Sequence, residues 1–417
     1  MYEKQILRNG VRLLCEAMPS VRSAAVGLWM GSGSRHEPAD LSGVSHALEH
    51  MVFKGTRTRS AARLAEEMDA IGGQVNAFTT KELTAFYARA LDSHLDTAID
   101  LLGDIFFQPR LAQEDWQTER GVILEEIGMY EDSPEDLVGE ELFGAVYSAS
   151  PLGRPILGKP ETLKGITAER MASYMAERYC PQNLVVSLAG RYTDSDRAHL
   201  VALLEAMPAR SAPDAEPGHY QPAVTTKQKP IEQNHLCLGF PALPAGHPER
   251  YALQVLNGIL GAGMSSRLFQ TVREQKGLCY AIYSFTAAHA DTGVLGVYTA
   301  LGKETEAQAL ELTLNVIREL TEKGPAEAEL DRVREQIKAN VMMGLESTSA
   351  RMHHLGQMEL LTGRASTPDE IIEAYDEVTV EKVWDLARRV FDLKQISLSA
   401  VGDVEDTDYS KQLPAVN

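Results

Sequence analysis

The sequence has few cysteines, and those it has are not spaced to pair or to bind a metal. It contains four, Cys15, Cys180, Cys237 and Cys279, which lie far apart without any C-x-x-C spacing. This pattern argues against a disulfide framework and against a thiolate metal site. We therefore predict small buried thiols in a reducing compartment, and a cytoplasmic location for the protein.

Basic side chains are also scarce relative to acidic ones. Lys and Arg total 40 against 59 Asp and Glu, which gives a formal net charge of −19. A surface of this sign repels nucleic acid and anionic membranes, so we expect neither as a partner. No apolar run is long enough to span a bilayer, and the N-terminal stretch MYEKQILRNG has no apolar signal region. The acidity suits basic peptides, although plain solubility explains it equally well.

The chain is too long for one ordinary core, so two or more domains are expected. It has 417 residues, and its 44% hydrophobic and 24% charged fractions are typical of a soluble globular protein. Residues 208–232 are rich in proline and small polar residues, which predicts an interdomain linker. The predicted division is therefore 1–207, the linker 208–232, and 233–417.

An internal repeat supports this division. The string ITAER at 166–170 recurs as VTVEK at 378–382, and LVVSLAG at 184–190 recurs as ISLSAVG at 396–402. Both pairs are separated by the same 212 residues, so no gap is needed between them. The sequence therefore predicts two copies of one α+β unit.

Local patterns predict the elements of the first copy. The Asn-Gly pair at 9–10 indicates a hairpin, and SAAVGLWM at 23–30 indicates a buried strand. Residues 74–90 alternate and are rich in Thr, Phe and Tyr, which predicts two strands. A helix is expected over about 42–55, because glycine follows its last apolar residues.

That helix carries the most informative motif, His46, Glu49 and His50 in the order H-x-x-E-H. On a helix the two histidines lie one turn apart, so their ring nitrogens can converge on one ion. Two neutral nitrogen donors favour zinc. Glu49 projects from nearly the same face and can reach a water on the metal without being a ligand. The motif predicts one Zn²⁺ per chain, although a helix can carry these residues by chance.

The repeat does not carry this motif with it. An offset of 212 takes the two histidines and the glutamate onto Gly258, Gly261 and Ala262. None of these residues has a side chain that binds metal. We therefore predict that the second copy is metal-free.

A third ligand is expected downstream, since catalytic zinc usually has three protein ligands. In the predicted helix over 113–129, Glu119 and Glu126 share one face with Trp116, whereas Glu125 points about 100° away. A carboxylate on an otherwise apolar face is costly unless it meets a charge. This favours Glu126 facing the metal with Glu119 behind it. From the pattern alone, a helix whose acidic residues are all solvated fits equally well.

These features resemble the inverzincin metallopeptidases, which include pitrilysin, insulin-degrading enzyme and the mitochondrial processing peptidase. The resemblance covers nearly the whole chain and is strongest to the short, single-clamshell members. In that family a glutamate ligand follows the H-x-x-E-H motif by about 75 residues, which selects Glu126 over Glu125. The string ERGVILEEI is similar to the family's ligand helix, whose upstream acid corresponds to Glu119 and supports the catalytic site from behind.

The resemblance implies an α+β fold of two homologous α/β-sandwich halves that form a clamshell around an extended peptide. It implies that substrate adds as a strand near Asn76, Ala77 and Phe78, where an ordinary core-side strand is the alternative. In the metal-free half, Arg273 and Tyr280 match a pair that contacts the substrate backbone and helps to polarise the scissile carbonyl.

The implied function is that of a zinc endopeptidase acting on short or unfolded peptides. Asp136 and Glu140 correspond to acids that receive an arginine side chain in the processing peptidase, so we expect a preference for presequence-like peptides with basic residues near the cut. The alternative is a catalytically silent scaffold or peptide-binding subunit of the same family. Members of this length pair, and the presence of both site halves in one chain favours a homodimer over a heterodimer.

Overall fold

A computed structural model describes residues 2–413 of the chain. The chain forms two compact units. The first unit contains Met1–Ile127, Arg154–Glu216 and Met342–Thr367, and the second contains Gly128–Gly153, Pro217–Val341 and Pro368–Asn417. Each unit has one β-sheet with helices packed against it.

Strands and helices alternate in groups along the chain. The strands are β1 (Glu3–Ile6), β2 (Arg12–Ala17), β3 (Ser23–Met30), β4 (Gln74–Thr79), β5 (Thr84–Leu91), β6 (Leu184–Gly190), β7 (Val224–Gln228), β8 (Asn234–Ala242), β9 (Ala281–Ala288), β10 (Gly293–Leu301) and β11 (Ser397–Gly402). The α-helices are α1 (Val44–Met51), α2 (Ala61–Ala70), α3 (Leu95–Phe107), α4 (Gln113–Glu131), α5 (Pro134–Val146), α6 (Pro160–Gly165), α7 (Ala168–Arg178), α8 (Asp194–Glu205), α9 (Arg250–Leu260), α10 (Lys303–Lys323), α11 (Glu327–Gly344), α12 (Thr348–Thr362), α13 (Pro368–Asp376) and α14 (Val380–Val390). Among the described residues, no helix is both long and apolar enough to cross a membrane.

The sheet of the first unit has the strand order β1-β2-β6-β3-β5-β4. Its central strand β3 pairs with β6 and β5 and is buried on both faces, which explains its unbroken apolar run. One face of the sheet packs against α3 and α8, and the other face packs against α12. Strand β4 lies at the edge and, in the described part of the chain, pairs only with β5.

The second unit repeats this arrangement. Its strand order is β7-β11-β8-β10-β9, which matches β2-β6-β3-β5-β4 strand for strand, including one parallel pair in each sheet. The repeated helices α7 and α14 begin in the same way, because the side chains of Thr167 and Thr379 both cap the helix that follows. The predicted α+β fold with two homologous halves is confirmed.

The structure differs from the sequence prediction in the linker and in two helical segments. Residues 208–232 include β7, which pairs in parallel with β11; Pro222 and Pro230 flank this short alternating strand and do not interrupt it. Residues 128–153 belong to the second unit and residues 342–367 belong to the first unit. The predicted division into 1–207 and 233–417 places each of these segments in the opposite half. The prediction follows sequence order, because the apolar face of a helix does not indicate which of the two sheets it packs against.

The close packing of α12 on the first sheet predicts that a larger side chain at their contact lowers the stability of the protein. Gly356 lies against the Trp29 indole, and a Cβ at this position would overlap the ring. The indole is held in place because Trp29 Nε1 donates to Ser187 Oγ at 2.8 Å. We expect Gly356→Ala to lower the free energy of unfolding by about 1–3 kcal/mol, although alanine is the better helix former.

Gly121→Ala is the matched control, because this helical glycine of the first unit has open space, with nothing within 4 Å, where the alanine methyl group would lie. We expect it to raise the free energy of unfolding by up to about 1 kcal/mol. Urea unfolding followed by circular dichroism measures both. Stabilisation by Gly356→Ala would contradict the described packing.

Candidate metal centre

The helix predicted over 42–55 is confirmed as α1 followed by a 3-10 turn. Its apolar side is buried in a cluster with Trp116 and Ile123 of α4. Both helices belong to the first unit as far as Ile127. Because the two histidines project from α1 and the glutamates from α4, this apolar packing brings the predicted ligands together.

Three donor atoms converge on one point. Nε2 of His46 lies 3.6 Å and Nε2 of His50 lies 3.5 Å from Oε2 of Glu126, and the three ligand atoms all lie within 4.8 Å of one another. Ligands about 2.1 Å from a tetrahedral zinc ion would be about 3.4 Å apart, so the spacing fits that ion. The donor set of two imidazoles and one carboxylate is also one that zinc favours.

Both electrostatics and burial keep His46 in the form that binds metal. Burial, together with the neighbouring His50, lowers the pKa of His46 to about 3. The imidazole of His46 is therefore neutral at physiological pH, with a lone pair available for a cation.

A carboxylate and an ammonium group lie on the Nδ1 side of the His50 imidazole, away from the candidate metal position. Nδ1 of His50 lies 3.0 Å from Oε1 of Glu119, and the Nζ of Lys54 lies 2.5 Å from Oε2 of the same carboxylate. A carboxylate accepts from Nδ1–H, which leaves the Nε2 lone pair directed at the site. Glu119 is buried, so Lys54 compensates much of the cost of its charge.

Glu49 lies beside the converging atoms but is not one of them. Thr79, at the end of β4, donates a hydrogen bond from Oγ1 to Oε2 of Glu49 at 2.6 Å. Burial raises the pKa of Glu49, and the Thr79 hydrogen bond opposes that rise. A half-buried carboxylate with a raised pKa suits general-base chemistry.

The segment predicted to bind substrate lies on the edge strand β4. Asn76 is exposed, Ala77 is buried, and Phe78 is half-buried and stacks on His353 with ring centroids 5.9 Å apart. The same strand supplies Thr79, which contacts Glu49. The predicted segment and the predicted base are therefore close neighbours.

The other predicted site residues lie in the second unit. The guanidinium carbon of Arg273 lies 5.5 Å from the ring centroid of Tyr280, so these two form a pair, and Tyr280 is 76% exposed. On α5, Asp136 is exposed and accepts from Ser133 Oγ at 2.6 Å, and Glu140 is half-buried. Among the described residues, His46, His50 and Glu126 form the candidate metal cluster.

Sequence reasoning missed Lys54 and Thr79. Lys54 follows His50 by one helical turn and so lies on the same face of the helix. This spacing could have predicted an ion pair between Lys54 and Glu119. Thr79 gave only a weak signal, which is that it directly follows the predicted substrate segment in the sequence. Its contact with Glu49 depends on how β4 packs beside α1.

Comparison with protein families gives two matches along the chain. Residues 12–160 match the model described as insulinase (peptidase family M16), and residues 165–337 match the model described as the peptidase M16 inactive domain. The chain is 43% identical over 392 residues to YmxG of Bacillus subtilis, which is named an uncharacterized zinc protease. That match covers 94% of this chain and 96% of the relative.

Solved structures show the same fold at lower sequence identity. A peptidase M16 inactive domain from Pseudomonas fluorescens superposes with a TM-score of 0.91 at 20% identity, over 98% of this chain and 99% of the other. A protease from Helicobacter pylori gives a TM-score of 0.89 at 21% identity, over 96% of this chain and 99% of the other. The sequence relatives place the protein more specifically: the chain belongs to the insulinase family of peptidases, family M16.

Proposed function

We propose that the protein is a zinc-dependent endopeptidase that cleaves extended, unfolded peptides. The observation that carries this proposal is the convergence of His46, His50 and Glu126, with Glu49 beside them but outside the ligand set. These three residues would hold one zinc ion per chain. Zinc supplies Lewis acidity toward a peptide carbonyl and toward water.

Glu49 is the proposed general base. Its Oε2 accepts the hydrogen bond from Thr79, and its Oε1 makes no hydrogen bond in the described part of the chain. Oε1 is thus the atom to take a proton from the attacking water and to pass it to the leaving amine nitrogen. The raised pKa of Glu49 brings the carboxylate nearer to the proton affinity that both transfers require.

The proposed substrate is a peptide strand added to β4. This strand has a free edge in the described part of the chain, and Thr79 connects it to Glu49. Backbone pairing of this kind orients a peptide of any sequence and leaves selectivity to side-chain contacts. It also requires an extended chain, so folded proteins are poor substrates.

Arg273 and Tyr280 remain the proposed pair that contacts the substrate backbone. Their mutual contact and the exposure of Tyr280 support this role. We also propose a homodimer, with a heterodimer as the alternative. The presence of a full candidate ligand set and the Arg–Tyr pair in one chain supports the homodimer.

The ligand assignment predicts a difference between adjacent glutamates. Glu126→Gln should weaken zinc binding by more than about 100-fold, because even residues that only support a ligand change metal affinity by about 10–100-fold. Glu125→Gln is the matched control, since Glu125 is exposed and is not part of the cluster. Competition with a chromogenic chelator measures both. Equal affinities in the two variants would reject Glu126 as a ligand.

The assignment of the base predicts a variant that binds metal but does not turn over. Glu49→Gln should keep wild-type zinc content and lose about 10²–10⁴-fold in kcat, because the amide cannot accept the proton. Metal analysis and mass spectrometry of products from an unstructured peptide measure the two properties. Turnover at the wild-type rate would exclude Glu49 as the base. A wild-type protein that binds zinc but cleaves no peptide would favour the silent scaffold or peptide-binding alternative.

A preference for basic residues near the cut is a separate prediction. Peptides with an arginine near the cleavage point should be cleaved faster than the same peptides with alanine there. The double substitution Asp136→Asn with Glu140→Gln should remove the difference, and Asp132→Asn, an exposed acid before α5, should preserve it. Competition between the paired peptides gives the ratio of kcat/KM. A ratio of one in the wild-type protein would reject this preference.

A further inference from the structure

The helix that bears the histidines lacks a capping side chain of its own. Its N-cap residue is Gly43, which has a φ of +97° and makes no side-chain cap. The first N–H groups of a helix have no acceptor within the helix, so a buried start requires acceptors from elsewhere. Residues Val44 to Leu48 of α1 are buried, so water does not readily serve this purpose.

Glu37 supplies the missing acceptors. Its Oε2 accepts from the N–H of Gly43 at 2.7 Å, and its Oε1 accepts from the N–H of Ser45 at 2.8 Å. One carboxylate thus binds two backbone donors at the start of α1, as a capping Asp would bind one. In its ionised form the carboxyl group also places a negative charge at the positive end of the helix.

The position of Glu37 is costly, which indicates a specific role. The residue is 3% exposed, and burial raises the pKa of its carboxyl to about 7 despite the two backbone hydrogen bonds. Arg154 donates to the backbone oxygen of Glu37 and not to its carboxylate. A smaller apolar residue here would avoid this desolvation but would leave the helix uncapped.

A second set of hydrogen bonds fixes the same helix turn. The hydroxyl of Tyr174 lies 3.1 Å from Ser45 Oγ and 3.0 Å from Ser32 Oγ. Ser45 is therefore held through its backbone by Glu37 and through its side chain by Tyr174. The next residue along α1 is His46.

We propose that Glu37 is a positioning residue for the metal centre. Its buried carboxylate fixes the position of α1 along the helix axis and the rotation of α1 about that axis, and so fixes where His46, Glu49 and His50 lie. This inference rests on the proposed function. It assigns to Glu37 an effect on metal geometry in addition to an effect on folding.

Glu37→Gln tests the proposal, because the amide has the same shape but only one acceptor oxygen. We expect about 10–100-fold weaker Zn²⁺ binding in a chelator competition. We also expect an altered visible spectrum when Co²⁺ replaces zinc, since the spectrum reports ligand geometry. Thr193→Ala is the matched control, because this N-cap of α8 accepts from the N–H of Asp196 and is not part of the site. It should lower stability but leave the Zn²⁺ affinity and the Co²⁺ spectrum unchanged.

A Glu37→Gln variant that loses stability but keeps the wild-type affinity and spectrum would overturn the positioning role and leave the proposed function intact. A wild-type protein that binds no zinc would overturn the proposed function, and the inference with it. If the variant does not fold, amide hydrogen exchange of the metal-free wild-type protein decides. Slow exchange at Gly43 and Ser45 supports a cap formed before metal binds, and rapid exchange overturns it.

Discussion

The candidate site depends on the apolar contact between α1 and α4. Leu48 and Met51 of α1 are fully buried in the same cluster as Trp116 and Ile123 of α4. Burial of such side chains stabilises a structure by roughly 1.5–3 kcal/mol each, so the two helices are held firmly by the side away from the ligands. The polar side of the contact can then carry groups that do not pack well by themselves.

Those polar groups form a series in which each group neutralises the charge of the next one or offers it a hydrogen bond. Lys54 compensates for Glu119, and Glu119 lies against Nδ1 of His50. On the far side of the imidazole, Nε2 of His50 faces Glu126. A divalent cation held here would complete this series, because it would neutralise the last carboxylate and use the lone pairs of both imidazoles. Glu49 is held separately by Thr79 and remains outside the series.

The parts of this arrangement that could be predicted are local or repeated. The convergence of His46 and His50 follows from helical geometry alone, and the repeat appears in the sequence as a constant offset. The helix pattern alone does not select Glu126, because a helix whose acidic residues are all solvated fits the pattern equally well; the family resemblance selects it. The contacts of Thr79 and Glu37 with α1 join segments whose relative position is set by tertiary packing. No pattern within either segment records that position.

The two copies of the α+β unit share a fold but differ in the residues at the position of the candidate metal motif. Five strands of the first sheet follow the same order as the five strands of the second sheet, and both repeated helices have a threonine cap. At the offset of 212 residues from His46, Glu49 and His50, the second copy has Gly258, Gly261 and Ala262, none of which has a side chain that binds metal. The fold supplies the scaffold, and the residues at one helix determine the chemistry.

Anomalous diffraction at the zinc absorption edge, from crystals of the zinc-loaded protein, tests whether His46, His50 and Glu126 bind one ion together. We expect one peak per chain within about 2.0–2.2 Å of Nε2 of His46, Nε2 of His50 and a carboxylate oxygen of Glu126. A peak that lacks Glu126 among its neighbours, or that lies away from the two histidines, would contradict it.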